Sequence, residues 1–172
     1  HSPLDQQGTK VNLGLGERSV RRFSARHAGK IGKNLGYKLS LQSFSGTDWE
    51  YVDPEEIEER DYDLSRNSTE LRIDYRPNDD LAAIVSTGYN SADNIELTGL
   101  GAGLADGWVS GYYQARVIYK DLFFQAFQNW TDAGDTFLLR SGGPIRDKSK
   151  LTVLQLQHFY GMGVRQRFTY GA

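Results

Sequence analysis

The chain has 172 residues, a net charge of -2 from 20 basic and 22 acidic side chains, and no cysteine. That balance gives no global attraction to nucleic acid or anionic lipid, and the missing thiols remove disulfide frameworks, thiolate zinc sites and cysteine nucleophiles together. No run approaches the roughly 18 consecutive apolar residues of a membrane-spanning helix, which leaves closed β-barrels open, because they too satisfy every backbone hydrogen bond within lipid.

Residues His1 to Gln7 have neither the basic start nor the apolar core of a signal peptide. After them, strands are predicted over Gly8 to Leu15, Val20 to Ile31, Gly36 to Ser45, Ser65 to Arg76, Leu81 to Ala92, Trp108 to Tyr119, Leu122 to Thr131, Leu151 to Tyr160 and Val164 to the end. The connections form two classes. Gly32 to Leu35, Pro77 to Asp80, Lys120-Asp121 and Gly161 to Gly163 are short and carry the Gly, Pro, Asn and Asp of tight turns. Gly46 to Leu64, Asp93 to Gly107 and Asp132 to Lys150 are long. The classes alternate after the first hairpin, which puts short turns at one end of the strands and long loops at the other, as in outer-membrane barrels.

Within the strands, side chains alternate between two faces. From Arg66 to Arg76 one face carries Arg66, Ser68, Glu70, Arg72, Asp74 and Arg76, and the other Asn67, Thr69, Leu71, Ile73 and Tyr75. The predicted polar wall collects Arg22, Arg26, Lys38, Arg66, Glu70, Arg72, Asp74 and Arg116, with Arg167 from the last strand. So many charges require water, ion pairs or a polar plug, which argues against a small lipocalin-like barrel with an apolar interior. Tyr37, Tyr75 and Tyr119 near short turns, and Tyr89 and Trp130 near long loops, occupy the positions of interfacial aromatic girdles. His27 and His158 fall on the lipid-side face, and neither pairs with a serine nucleophile at recognisable spacing.

Asp48 to Asp63 holds nine acids against the single base Arg60. It lacks the ligand spacing of an EF-hand and reads as a solvated loop, in which Trp49, Tyr51 and Tyr62 are the candidates for ligand contact. Gly99, Gly101, Gly103 and Gly107 match no nucleotide-binding pattern and read as a flexible loop. The Asn67-Ser-Thr69 and Asn129-Trp-Thr131 sequons lie inside predicted strands.

Several stretches, in order, resemble the start of the barrel of TonB-dependent outer-membrane receptors. They are Val11-Asn-Leu-Gly-Leu-Gly-Glu-Arg-Ser19, Arg22-Phe-Ser-Ala-Arg-His-Ala-Gly29, Phe44-Ser-Gly-Thr-Asp-Trp-Glu-Tyr51, Tyr75-Arg-Pro77, Asp132-Ala-Gly-Asp-Thr-Phe-Leu-Leu-Arg140 and Gln166-Arg-Phe-Thr-Tyr-Gly171. The resemblance implies an all-β antiparallel meander of about nine strands, part of a transmembrane barrel of about twenty-two. Residues 1–7 would leave a plug domain of the same parent chain, and residues 8–172 would form the first barrel strands. It further implies a bacterial outer-membrane location, lipid and plug as partners, and the TonB complex reached only through the plug. The activity would be uptake of a scarce nutrient such as an iron chelate or cobalamin, with no enzymatic step and no cofactor. The chain departs from the family in having no plug, no TonB box and no terminal aromatic. Two other readings stay open: a self-contained outer-membrane barrel with a structural or adhesive role, and a soluble β-barrel that binds a small molecule.

Overall fold

In the computed structural model, which describes residues 1–162 and 166–172, the protein is all-β. The strands are β1 (Gly8–Leu15), β2 (Arg21–Ile31), β3 (Leu35–Thr47), β4 (Asp63–Asn78), β5 (Leu81–Thr98), β6 (Gly101–Tyr119), β7 (Leu122–Asp132), β8 (Phe137–Leu138), β9 (Lys148–Met162) and β10 (Gln166–Gly171). They make one antiparallel sheet in meander order, with the two-residue β8 beside β6, and β1 and β10 stand at opposite edges. The sheet is not closed into a barrel. Of the last expected turn, Gly161 and Met162 instead continue β9, while its residue 163 and the start of the last expected strand, 164–165, lie outside the described residues together with the side chain of Arg167.

The faces separate as the alternation predicts. On β4, Leu71, Ile73 and Tyr75 are exposed, whereas Glu70 and Arg72 on the other side are half-buried and Asp74 is fully buried. The charged side is therefore the sheltered one. The apolar side is open, and exposed Leu39, Leu71, Ile73, Val85, Phe124, Leu154 and Leu156 run across it from β3 to β9.

This apolar band does not follow the register. Leu13 on β1 shares its row with Phe23, Ser43, Asn67, Ser91, Val109, Asp132 and, on β9, Lys148. On the same face of β9 as Lys148 the exposed leucines are Leu154 and Leu156, six to eight residues beyond it after seven strand steps, while exposed Leu151 lies on the other face. The band thus slides by about one residue per strand. Its short-turn border slides with it: Tyr37 faces Ile73, one same-face position from Tyr75, and Tyr75 aligns through Ala83 with Val117, one position from Tyr119. Tyr119 aligns in turn through Leu122 with His158, one position from Tyr160. An eight-stranded barrel with a shear of eight tilts its strands by about 36°, so one residue per strand corresponds to a band crossing the strands at about that angle.

Two expected loops are ordered differently. The segment Asp93 to Gly107, expected as a flexible loop, continues the β5–β6 hairpin past an irregularity between Ala92 and Asn94, from Asn94↔Ala105 to Thr98↔Gly101. Only Gly99 and Leu100 form its tip. Gly103 can join this arm because its bare face meets Ile145, at 3.2 Å from where a Cβ would stand. The third long loop supplies β8, whose Phe137 and Leu138 pair with Leu104 and Gly103.

Bare glycines receive large rings from the neighbouring strand. Gly29 lies under Tyr37, Gly88 under Tyr112 and Gly111 under Trp130, and Trp130 also meets Tyr89 with centroids 6.1 Å apart. A Cβ on Gly111 would stand 2.6 Å from Trp130 Cε2. Gly111→Val should therefore displace the indole and cost about 1–3 kcal/mol, measurable as a lower urea midpoint with loss of the near-ultraviolet tryptophan signal.

Candidate functional site

The eight charged side chains expected on the polar wall share the face of Asp74 in the strand register, with Arg22 and Arg66 exposed. Arg22 and Arg66 share one row through Phe44, Arg26 and Glu70 another through Ser40, and Lys38 pairs directly with Arg72. Asp74 and Arg116 share the row of Ile84. Strand spacing brings opposite charges together: Lys38 Nζ is 2.5 Å from Glu70 Oε1, and Arg72 grips Asp74 with Nε at 2.6 Å from Oδ1. Arg116 donates twice to Gln125 Oε1, at 2.9 and 2.8 Å. Arg66 reaches Glu96 at 3.1 Å, on the hairpin arm that was expected to be loop.

Residues 2–6 lie against this face near the short turns. Ser2, Pro3 and Leu4 are buried, and Leu4 settles over Gly36, where a Cβ would stand 3.0 Å from it. Ser2 Oγ donates to Asp74 Oδ2 at 2.6 Å, Arg26 donates to the Gln6 carbonyl at 2.9 Å, and Arg76 lies 3.7 Å from Asp5. Asp74 is the centre of this knot. Its carboxylate is fully buried and accepts from Ser2 and from both arms of the Arg72 guanidinium.

Above the knot, toward the long loops, the polar face opens into a groove of about 790 Å³ bordered by Arg22, Phe44, Arg66, Asn90 and Trp108. A smaller recess of about 190 Å³ continues it past Ser68, Glu70 and Tyr112. Among the described residues, no group of three or more His, Asp or Glu is placed to hold a metal ion.

The acidic segment departs from a purely solvated loop. Ile57 and Glu58 N–H groups both donate to the Leu139 carbonyl, and Leu139 N–H donates to Ala102 on the arm. Leu139 is fully buried, with Ala102, Ala105 and Ala133 also buried, so the three connections share a small core. Arg140 lies 2.8 Å from both Asp53 and Glu55, and Arg60 holds Glu56 through two bonds at 2.5 and 2.6 Å. The three aromatic candidates are engaged within this cap. Trp49 lies under Arg18 at 4.7 Å and Tyr51 under Arg60 at 4.9 Å, while the Tyr62 hydroxyl donates to the Tyr51 carbonyl. Tyr51 and Tyr62 come together, and Trp49 stands apart beside the first hairpin.

Sequence reasoning missed Ser2, Glu96 and Arg140. Each acts at a sequence distance of 30 to 87 residues from its partner, with no local pattern to mark it.

Compared with known proteins, the chain matches no family model, no curated protein and no solved structure.

Two outcomes follow from these contacts. The sequence alone suggests that Arg72→Gln is inexpensive, because water could meet a lumenal charge; the buried Asp74 carboxylate reverses that expectation, and the change should cost about 1–3 kcal/mol in a urea titration. In the cap, the hydrogen bond from Arg140 holds the Asp53 carboxyl below its ordinary value of 3.8. A depressed acid stabilises above its unfolded value and loses that contribution as pH falls through its folded value. The Ile57 and Glu58 amides should therefore stay protected from hydrogen exchange at pH 5 and lose protection below about pH 3.8, after correction for intrinsic rates; Arg140→Gln should remove the pH dependence.

Proposed function

We propose that this chain is part of a membrane-spanning β-barrel of the bacterial outer membrane, the opening strands of a TonB-dependent receptor that takes up a scarce nutrient. The observation that carries this reading is the diagonal apolar band. A membrane is a slab of fixed orientation, and strands tilted through it by 35–45° must each present their apolar residues at a shifted register. A drift of about one residue per strand supports that geometry. Behind the band the eight polar-wall charges from Arg22 to Arg116 sit on the opposite face, where water or a polar plug would meet them, and charges that share the apolar face, Arg21, Asp93, Asp132, Lys148 and Lys150, lie at its long-loop end. The tyrosine border supports the reading, because an interfacial girdle follows the bilayer plane and not the strand register.

Residues 2–6 on the polar face suit a segment entering the lumen from a plug at the short-turn end. The open edges of β1 and β10 suit a sheet completed by further strands, since an unpaired edge in lipid leaves backbone groups without partners. The self-contained barrel is less well supported for the same reason. A soluble β-protein would bury its large apolar face, whereas here it is the open one.

Depth-dependent quenching by brominated lipids tests this directly. With single fluorescent labels in vesicle-folded protein, positions 13 and 154 should both report the bilayer centre, while position 148, the register mate of 13, should report the interface. Equal depths for 13 and 148 would overturn the tilted-span reading. In the same vesicles Ile73→Arg should cost up to about 2–4 kcal/mol, and full stability of that variant in plain buffer would favour the soluble alternative.

A further inference from the structure

The row next to the groove has an unusual composition. Asn12, Ser24, Gln42, Ser68, Asn90 and Ser110 align on six consecutive strands, and Thr131 and Ser149 continue the row on β7 and β9. Every member is a neutral amide or hydroxyl. One bond within the row, Asn12 Nδ2 to Ser24 Oγ at 2.9 Å, uses any of these groups, and among the described residues the side chains from Gln42 to Ser149 make no hydrogen bond. They repeat at the strand spacing of about 4.8 Å. Six strands therefore present a ladder about 24 Å long whose donors and acceptors all point to the sheltered face.

The flanking rows add chemistry of two kinds. Phe44 and Trp108 border one side and Tyr112, lying over Gly88, the other, so apolar ring faces alternate with the polar ladder. Positive charge accompanies them: Arg22, with no ion pair or hydrogen bond among the described residues, and Arg66, whose partner Glu96 is more than half exposed.

We propose that this ladder binds a linear acidic oligosaccharide lying across the strands. The strand repeat is close to the advance of one pyranose ring, so successive hydroxyls meet successive amides and hydroxyls. Ring C–H faces rest on Phe44, Trp108 and Tyr112, which offer large apolar area at little cost in side-chain freedom. Carboxylates of the sugar acids meet Arg22 and Arg66, where charge-assisted bonds are the strong ones. A compact anion would use the arginines and leave the ladder empty. A neutral chain would use the ladder and leave the arginines unmet. The proposal concerns the sheltered face alone and does not depend on the membrane reading.

Calorimetric titration of the whole folded chain, in detergent micelles or in buffer if it stays dispersed, separates these cases. The probes are a galacturonate tetramer, galacturonate monomer, maltotetraose and citrate. The acidic tetramer should bind at least about tenfold more tightly than each of the other three. Arg22→Gln should weaken the tetramer about tenfold and leave maltotetraose unchanged, whereas Gln42→Ala with Asn90→Ala should weaken both chains and spare citrate. Those variants sit on solvated positions, and unchanged circular dichroism confirms that each is folded. Citrate binding as tightly as the tetramer, a tetramer indifferent to the Gln42 and Asn90 changes, or no heat with the tetramer would each overturn the proposal. Failure of the membrane reading shows up separately, as equal lipid depths at positions 13 and 148.

Discussion

The antiparallel register is the constraint from which everything else in this protein descends. Side chains alternate with a period of two, so a slip of one residue on any strand would carry its charges onto the apolar face and its leucines among the ion pairs. Tight turns at Gly32 to Asn34, Asp79-Asp80 and Lys120-Asp121 set that register. The large rings seated on glycines of neighbouring strands hold it, because each ring fits over its own partner only when the rows are aligned. Lys38 with Glu70 adds a further check across strands, and Arg72 with Asp74 completes the charged wall within one.

Register also explains why so much of the fold is legible in the sequence. The two-residue alternation along the strands and the composition of the short turns are local signals, and together they put Arg22, Arg26, Lys38, Arg66, Glu70, Arg72, Asp74 and Arg116 on one face of the sheet. The arm from Asn94 to Ala105 is not legible because its pairing depends on what lies over it. Gly103 looks like a loop residue until Ile145 and Phe137 cover its bare backbone, and those residues come from a connection more than thirty positions away. The cap is hidden for the same reason. Arg140 has no local relation to Asp53 or Glu55, and nothing in the acid-rich run announces that two of its amides find the Leu139 carbonyl.

The knot at Asp74 shows the two demands on a charged wall meeting at one residue. A carboxylate with no exposure is tolerable only when its oxygens are filled, and here one filling comes from the same strand and another from the chain's first residues. Short contacts of this kind tie the position of residues 2–6 to the sheet itself. The groove side of the same face is built the opposite way, with neutral groups left unmet. One end of the wall is closed by its own side chains and the other is left for a guest or for water.

The paired arm of β5 and β6 has a mechanical consequence. A loose connection of fifteen residues would sweep a wide volume and lose much of that freedom on meeting anything. A hairpin braced along its outer edge by β8 and by the Leu139 core has little freedom left to lose. At roughly 3.4 Å per residue, the five pairs from Asn94↔Ala105 to Thr98↔Gly101 make a stiff projection that stands clear of the sheet. Whatever approaches from that side first touches a surface of fixed shape, and recognition there is decided by complementarity and not by the folding of a loop around the visitor.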